Sequence, residues 1–132
     1  MDSKLYFTIA AIVAILYGIG FVLIPANLTN LYGGPAEPNV VLNARFFGSA
    51  LLAWGVILWF ARDFQDWAAV RGVLIGSVIG LVVGGIVNIS ATVQGLLNAL
   101  SWSSTAIYVL LLLGALYVLY TGSRQPAFRP SR

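Results

Sequence analysis

The chain has 132 residues, 60% of them hydrophobic and 8% charged, with a mean hydropathy of +0.93 and a net charge of +3. Soluble domains carry about 25% charged residues, so the composition excludes an ordinary soluble globule, and the length fits one domain. The basic balance does not signal a nucleic-acid partner, because the few Lys and Arg are dispersed between apolar spans and form no patch. With no cysteine and no histidine, the chain lacks disulfides, thiolate nucleophiles, the commonest general base and the commonest metal ligand. No cofactor or metal site is expected, and no catalytic residue stands out.

After a polar leader, residues 1–4, the stretch 5–24 is apolar and long enough to cross about 30 Å of hydrocarbon. It is too long for a signal-peptide core, and Ile24-Pro25-Ala26 is a poor cleavage site, so a retained helix is expected. Ala10, Ala14 and Gly18 give it a face of small residues, and Pro25 stops it. Residues 25–39 carry Pro25, Pro35, Pro38 and Gly33-Gly34, which favour turns and disfavour a long helix.

The second span covers 40–60 and carries Asn43 and Arg45 near its start, with Trp54, Trp59 and Phe60 toward its far half. Trp59 suits the interfacial aromatic belt. A short charged loop at 61–69 holds Arg62, Asp63 and Asp66. The third span, 70–89, steps in glycine at Gly72, Gly76, Gly80 and Gly84, with Asn88 next. A spacing of four keeps these positions on one slowly drifting helix face, and such a face admits close approach of another helix. The third span is therefore expected to be the packing centre, within the chain or between copies. Residues 90–101 are polar but uncharged, and 102–121 forms the fourth span with Tyr108, Tyr117 and Tyr120. Residues 124–132 read as a flexible basic tail.

The expected fold is all-α: one domain over 1–123 made of four transmembrane helices. Lys4, Arg62, Arg71, Arg124, Arg129 and Arg132 fall on the side of the termini, against Arg45 alone on the other. That bias predicts both termini cytoplasmic, in a multi-pass protein of the cell's inner (cytoplasmic) membrane.

Antiparallel second and third spans would bring Arg45 and Asn88 to similar depth, where Asn43, Glu37, Gln94 and Asn98 could converge. One reading is an outward-facing polar pocket for a lipid headgroup or another acid. The other is structural: Arg45 snorkels to phosphates or pairs with Glu37, and Asn88 bonds across a helix interface. Asp63 and Asp66 read as solvated turn residues, and the span-end aromatics as anchors. All four acids lie in loops or at an end, which argues against proton-coupled antiport through a buried carboxylate.

Gly18-Ile19-Gly20 running to Pro25, Ala44-Arg45-Phe46-Phe47-Gly48 opening the second span, Gly95-Leu96-Leu97-Asn98 before Trp102 and the Tyr108-rich last span together resemble the DoxX-like group of small four-helix bacterial membrane proteins. The resemblance implies a four-helix membrane bundle and carries over no catalytic residues. The leading functional expectation is an accessory or interaction subunit or small homo-oligomer, partnered by membrane lipids or another membrane protein. The alternative is a binder or carrier of a lipid or small lipophile through Arg45 and Asn88.

Overall fold

The computed structural model describes residues 1–123; the basic tail at 124–132 lies outside the described residues. Four long helices carry the fold: α1 Ser3–Leu23, α3 Pro38–Ala61, α4 Trp67–Val93 and α5 Ser101–Gly122, with a seven-residue helix α2, Pro25–Leu31, after the first. Each of the four is long and apolar enough to cross a bilayer, so the chain is an all-helical four-span membrane bundle. The pattern of exposure agrees: Leu16, Leu23, Phe60 and Leu110 are 64–71% exposed, while the polar Ser77 and Ser101 are buried. In water such an apolar exterior would aggregate; in lipid it is the solvated surface.

Helix ends follow local chemistry. The carboxylate of Asp2 accepts from the Leu5 amide at 2.8 Å and that of Asp66 from the Ala68 amide at 3.2 Å, so two loop acids cap helix N-termini. The stretch 25–39, expected to hold turns, begins with the short α2 because Pro25 sits at its first position, where a missing N–H costs nothing. Gly33 then reverses the chain with φ of 86°, a conformation that side chains rarely adopt.

The closest helix pairing is α1 with α3. It rests on small residues. A methyl group on Gly18 would lie 2.8 Å from the Leu52 backbone nitrogen and 2.9 Å from the Gly48 carbonyl; one on Gly48 would lie 2.9 Å from the Gly18 carbonyl. On Gly55 it would meet Ile15 at 2.6 Å. Ala11 and Ala14 on the facing side are buried. The small face read on the first span at Ala10, Ala14 and Gly18 is therefore inside the bundle. The second pair is α4 with α5. Phe7, Leu58, Val70, Leu74, Ala115 and Val118 join the two pairs in a buried apolar layer at the end that holds the N-terminus and the α3–α4 loop. At the same end Lys4 meets Asp63 at 3.3 Å, and the Arg62 guanidinium lies 3.7 Å over the Trp59 ring.

The third span is not the packing centre inside this chain. Among the described residues nothing lies within 4 Å of a methyl group placed on Gly72 or Gly80, and one on Gly76 meets only the far edge of the Trp54 ring at 3.5 Å. Gly84 alone is tightly covered, by Tyr108. The reason is geometric. At about 100° per residue, a step of four advances about 40° each time, so Gly72 and Gly84 point about 120° apart. No single neighbour within the chain can cover the series.

Gly18→Ala and Gly48→Ala are expected to lower the stability of the detergent-solubilised protein by about 1–3 kcal/mol each, since backbone atoms must give way. Gly72→Ala and Gly80→Ala should leave it unchanged or slightly raised. Reversible unfolding in mixed micelles measures both.

Candidate functional site

Away from the buried layer, the two helix pairs diverge around a cavity of about 700 Å³. One stripe from each long helix lines it: Tyr6, Ala10, Val13, Ala14, Tyr17 and Phe21 from α1; Val40, Asn43, Ala44, Phe47, Leu51, Trp54 and Leu58 from α3; Ser77, Leu81, Gly84, Val87, Asn88 and Ala91 from α4; Ser104, Ile107, Tyr108 and Leu111 from α5. Spacings of three and four along each stripe are those of one helix face. The cavity falls in the size range of small-molecule sites, and like them it is apolar with a few placed polar groups.

Polar groups gather at the end opposite the buried layer. Tyr32, from the turn after α2, reaches the Tyr17 hydroxyl on α1 at 3.3 Å and accepts from Ser104 Oγ on α5 at 3.3 Å. Asn88 on α4 donates through Nδ2 to the Ser101 carbonyl at 3.1 Å and to Thr105 Oγ1 at 2.9 Å. Thr92 and Ser101 meet through their hydroxyls at 2.6 Å. These bonds lock α4 to α5 around the chamber wall. The cavity is not sealed on the remaining side. Beyond the buried layer α3 and α4 scarcely touch, and Trp54 on α3 reaches toward Gly76 on α4. Nearer the polar end, Phe47 is 44% and Val87 62% exposed although both line the cavity. This gap faces hydrocarbon when the bundle lies in a bilayer.

The sequence-predicted site residues separate into three groups. Asn88 and Asn43 line the cavity. Asn98 does not, but it places a residue that does: its amide donates to the Tyr32 carbonyl and its Nδ2 to the Leu31 carbonyl, both at 2.8 Å. Two carbonyls left open at the end of α2 are thereby satisfied, and Tyr32 is fixed over the chamber. Arg45 and Glu37 are exposed and outside the cavity lining. Among the described residues the ion pairs are Lys4–Asp63 and Arg62–Asp63, so Arg45 and Glu37 do not pair with each other. The expected convergence of Arg45 with Asn88 is not what the fold makes, because Arg45 leaves α3 on a different face from Asn43, Ala44 and Phe47.

Tyr17, Tyr32, Ser104 and Tyr108 were not singled out from sequence as site residues. A signal for the α5 wall existed: Ser101, Ser104, Thr105 and Tyr108 recur at spacings of three, one and three, a polar stripe on one face of an otherwise apolar span. Chemically, the lining offers hydroxyls and the two amides of Asn43 and Asn88, and among the described residues none of it is charged. An ionised ligand would enter without a counter-charge, at a cost that a neutral one avoids.

The fold and cavity define a small four-helix membrane bundle with an interior chamber. Compared with protein-family models, curated proteins and solved structures, the chain matches none of them.

Asn88→Ala should weaken the α4–α5 junction by about 1–2 kcal/mol in micelle unfolding, because it deletes two interhelical hydrogen bonds. Asn43→Ala, whose side chain makes no hydrogen bond among the described residues, should shift stability by less than about 0.5 kcal/mol.

Proposed function

We propose that this protein binds or carries a small lipophilic molecule, taken from the bilayer through the gap between α3 and α4 and held in the chamber. The observation that carries the reading is the cavity of about 700 Å³ with a hydroxyl and amide cluster at one end. Binding rather than chemistry is favoured by a lining that, among the described residues, holds no general bases, thiols or charged groups of the kind that covalent or acid–base steps use. The excess of Lys and Arg at the end of the termini favours an inner-membrane orientation with the termini cytoplasmic. In that orientation the polar end of the chamber lies toward the outer leaflet.

A second reading has its own support. Among the described residues nothing lies within 4 Å of a methyl group placed on Gly72 or Gly80 of α4, and a bare glycine face suits close contact with a helix of a second copy or another membrane protein. The two readings are compatible, since they use different faces of α4.

Native mass spectrometry of gently extracted protein addresses both. A stoichiometric lipophile of a few hundred daltons should accompany the chain and be lost in Ala44→Trp, which fills the chamber. Protein without any bound mass, or a mass that persists in Ala44→Trp, overturns the chamber reading. A uniform oligomer that dissociates in Gly80→Leu supports the second reading, and a monomer throughout overturns it.

A further inference from the structure

We infer that the chamber selects an uncharged lipophile carrying a hydroxyl headgroup, an inference that rests on the chamber reading above. The argument is an inventory of donors and acceptors at the polar end. Asn88 directs its Nδ2 at the Ser101 carbonyl, which can only accept, so the amide orientation is set by its partner. Its Oδ1 therefore faces the other way, and it accepts no hydrogen bond among the described residues. It is an acceptor in want of a donor. Tyr17, Tyr32 and Ser104 present the converse. Two hydrogen bonds join these three hydroxyls, and Ser104 donates one of them. Ser104 is within reach of Tyr17 as well, so the three hydroxyls form a loose ring from which one phenolic O–H can turn to a ligand. Both bonds, at 3.3 Å, are also about half an ångström longer than a usual O–H···O bond, so the cluster is loose enough to admit another oxygen.

Both demands lie on the lining of the same chamber, which the amide of Asn43 and the hydroxyl of Tyr108 also share. Asn88 bonds Thr105, and Ser104 is the next residue back along α5. A single ligand hydroxyl, accepting from the phenol and donating to Asn88 Oδ1, meets both. A ketone, ether or ester oxygen meets only the first, because it has no proton to give. A carboxylate also lacks the proton and would enter a lining that among the described residues holds no cation. Below the cluster the walls are aliphatic and aromatic down to Tyr6 and Leu58, which suits an alkyl or polycyclic body. The assigned ligand class is thus a long-chain or polycyclic alcohol that partitions into the membrane.

The test is displacement of tritiated hexadecanol from the full chain in detergent by hexadecanol, hexadecyl methyl ether, palmitic acid and hexadecane. Hexadecanol should compete about threefold to tenfold better than the ether, as one neutral hydrogen bond allows, and the ether better than hexadecane. Asn88→Leu should bring the alcohol to the level of the ether measured in the same variant. The double variant Tyr17→Phe, Tyr32→Phe should weaken alcohol and ether alike, and it stands as an independent probe should Asn88→Leu fold poorly. Equal competition by alcohol, ether and hexadecane, with hexadecane binding still lost in Ala44→Trp, overturns the hydroxyl assignment and keeps the chamber. Palmitic acid competing best overturns it too. No saturable binding of any of the four overturns the chamber reading itself.

Discussion

The backbone-level approach of α1 and α3 is the constraint on which the rest depends. Gly18, Gly48 and Gly55, with Ala11 and Ala14, bring these two helices so near that a single added methyl would strike main-chain atoms. In a bilayer there is no hydrophobic drive between helices, and dispersion contact of this kind is what holds them. Once α1 and α3 are committed to each other, α4 and α5 must dock as a second pair. They do so through a buried apolar layer at one end, formed by Phe7, Leu58, Val70, Leu74, Ala115 and Val118. At the other end the pairs diverge. The chamber is the space this leaves, and its polar rim is what Tyr32, Ser104 and Asn88 bring to it.

This division of labour explains why the two ends look so different. The end of the termini carries the buried apolar layer, the ion pairs of Asp63 and the Arg62–Trp59 stacking. The surface pair Lys4–Asp63 adds little to stability, being well exposed on both sides. The opposite end carries side-chain hydrogen bonds between elements: Asn88 to α5, Tyr32 to α1 and α5, Asn98 to the end of α2. Satisfied polar groups of this kind position walls without filling the space between them. Fold and chamber follow from the same arrangement, with small residues closing one seam and hydrogen bonds spacing another.

The four spans were legible in the sequence because length and apolarity suffice in a membrane; the observed helices extend the expected ones by at most a few residues. The small face of the first span was legible as well, since Ala10, Ala14 and Gly18 hold helical phase. The glycine series misled about packing within the chain, because a step of four rotates away from any one neighbour. Asn88 was legible as a polar group in an apolar span. Its partners were not, for they depend on how far α5 is rotated. Tyr32 could not be found from its own surroundings: it reaches the chamber only because Asn98, distant in sequence, pins its backbone. Arg45 attracted attention through its charge, yet charge on a helix near an interface is drawn outward, and the chamber is neutral.

The most direct test of the central claim is a crystal structure of the full chain grown from a lipidic mesophase. The account predicts that α1 and α3 meet at Gly18 and Gly48, that α3 and α4 stay apart above Trp54, and that elongated density fills the chamber with an oxygen between Asn88 Oδ1 and the Tyr17–Tyr32 hydroxyls. A structure in which α3 and α4 close against each other, with no space between the helix pairs, would contradict it.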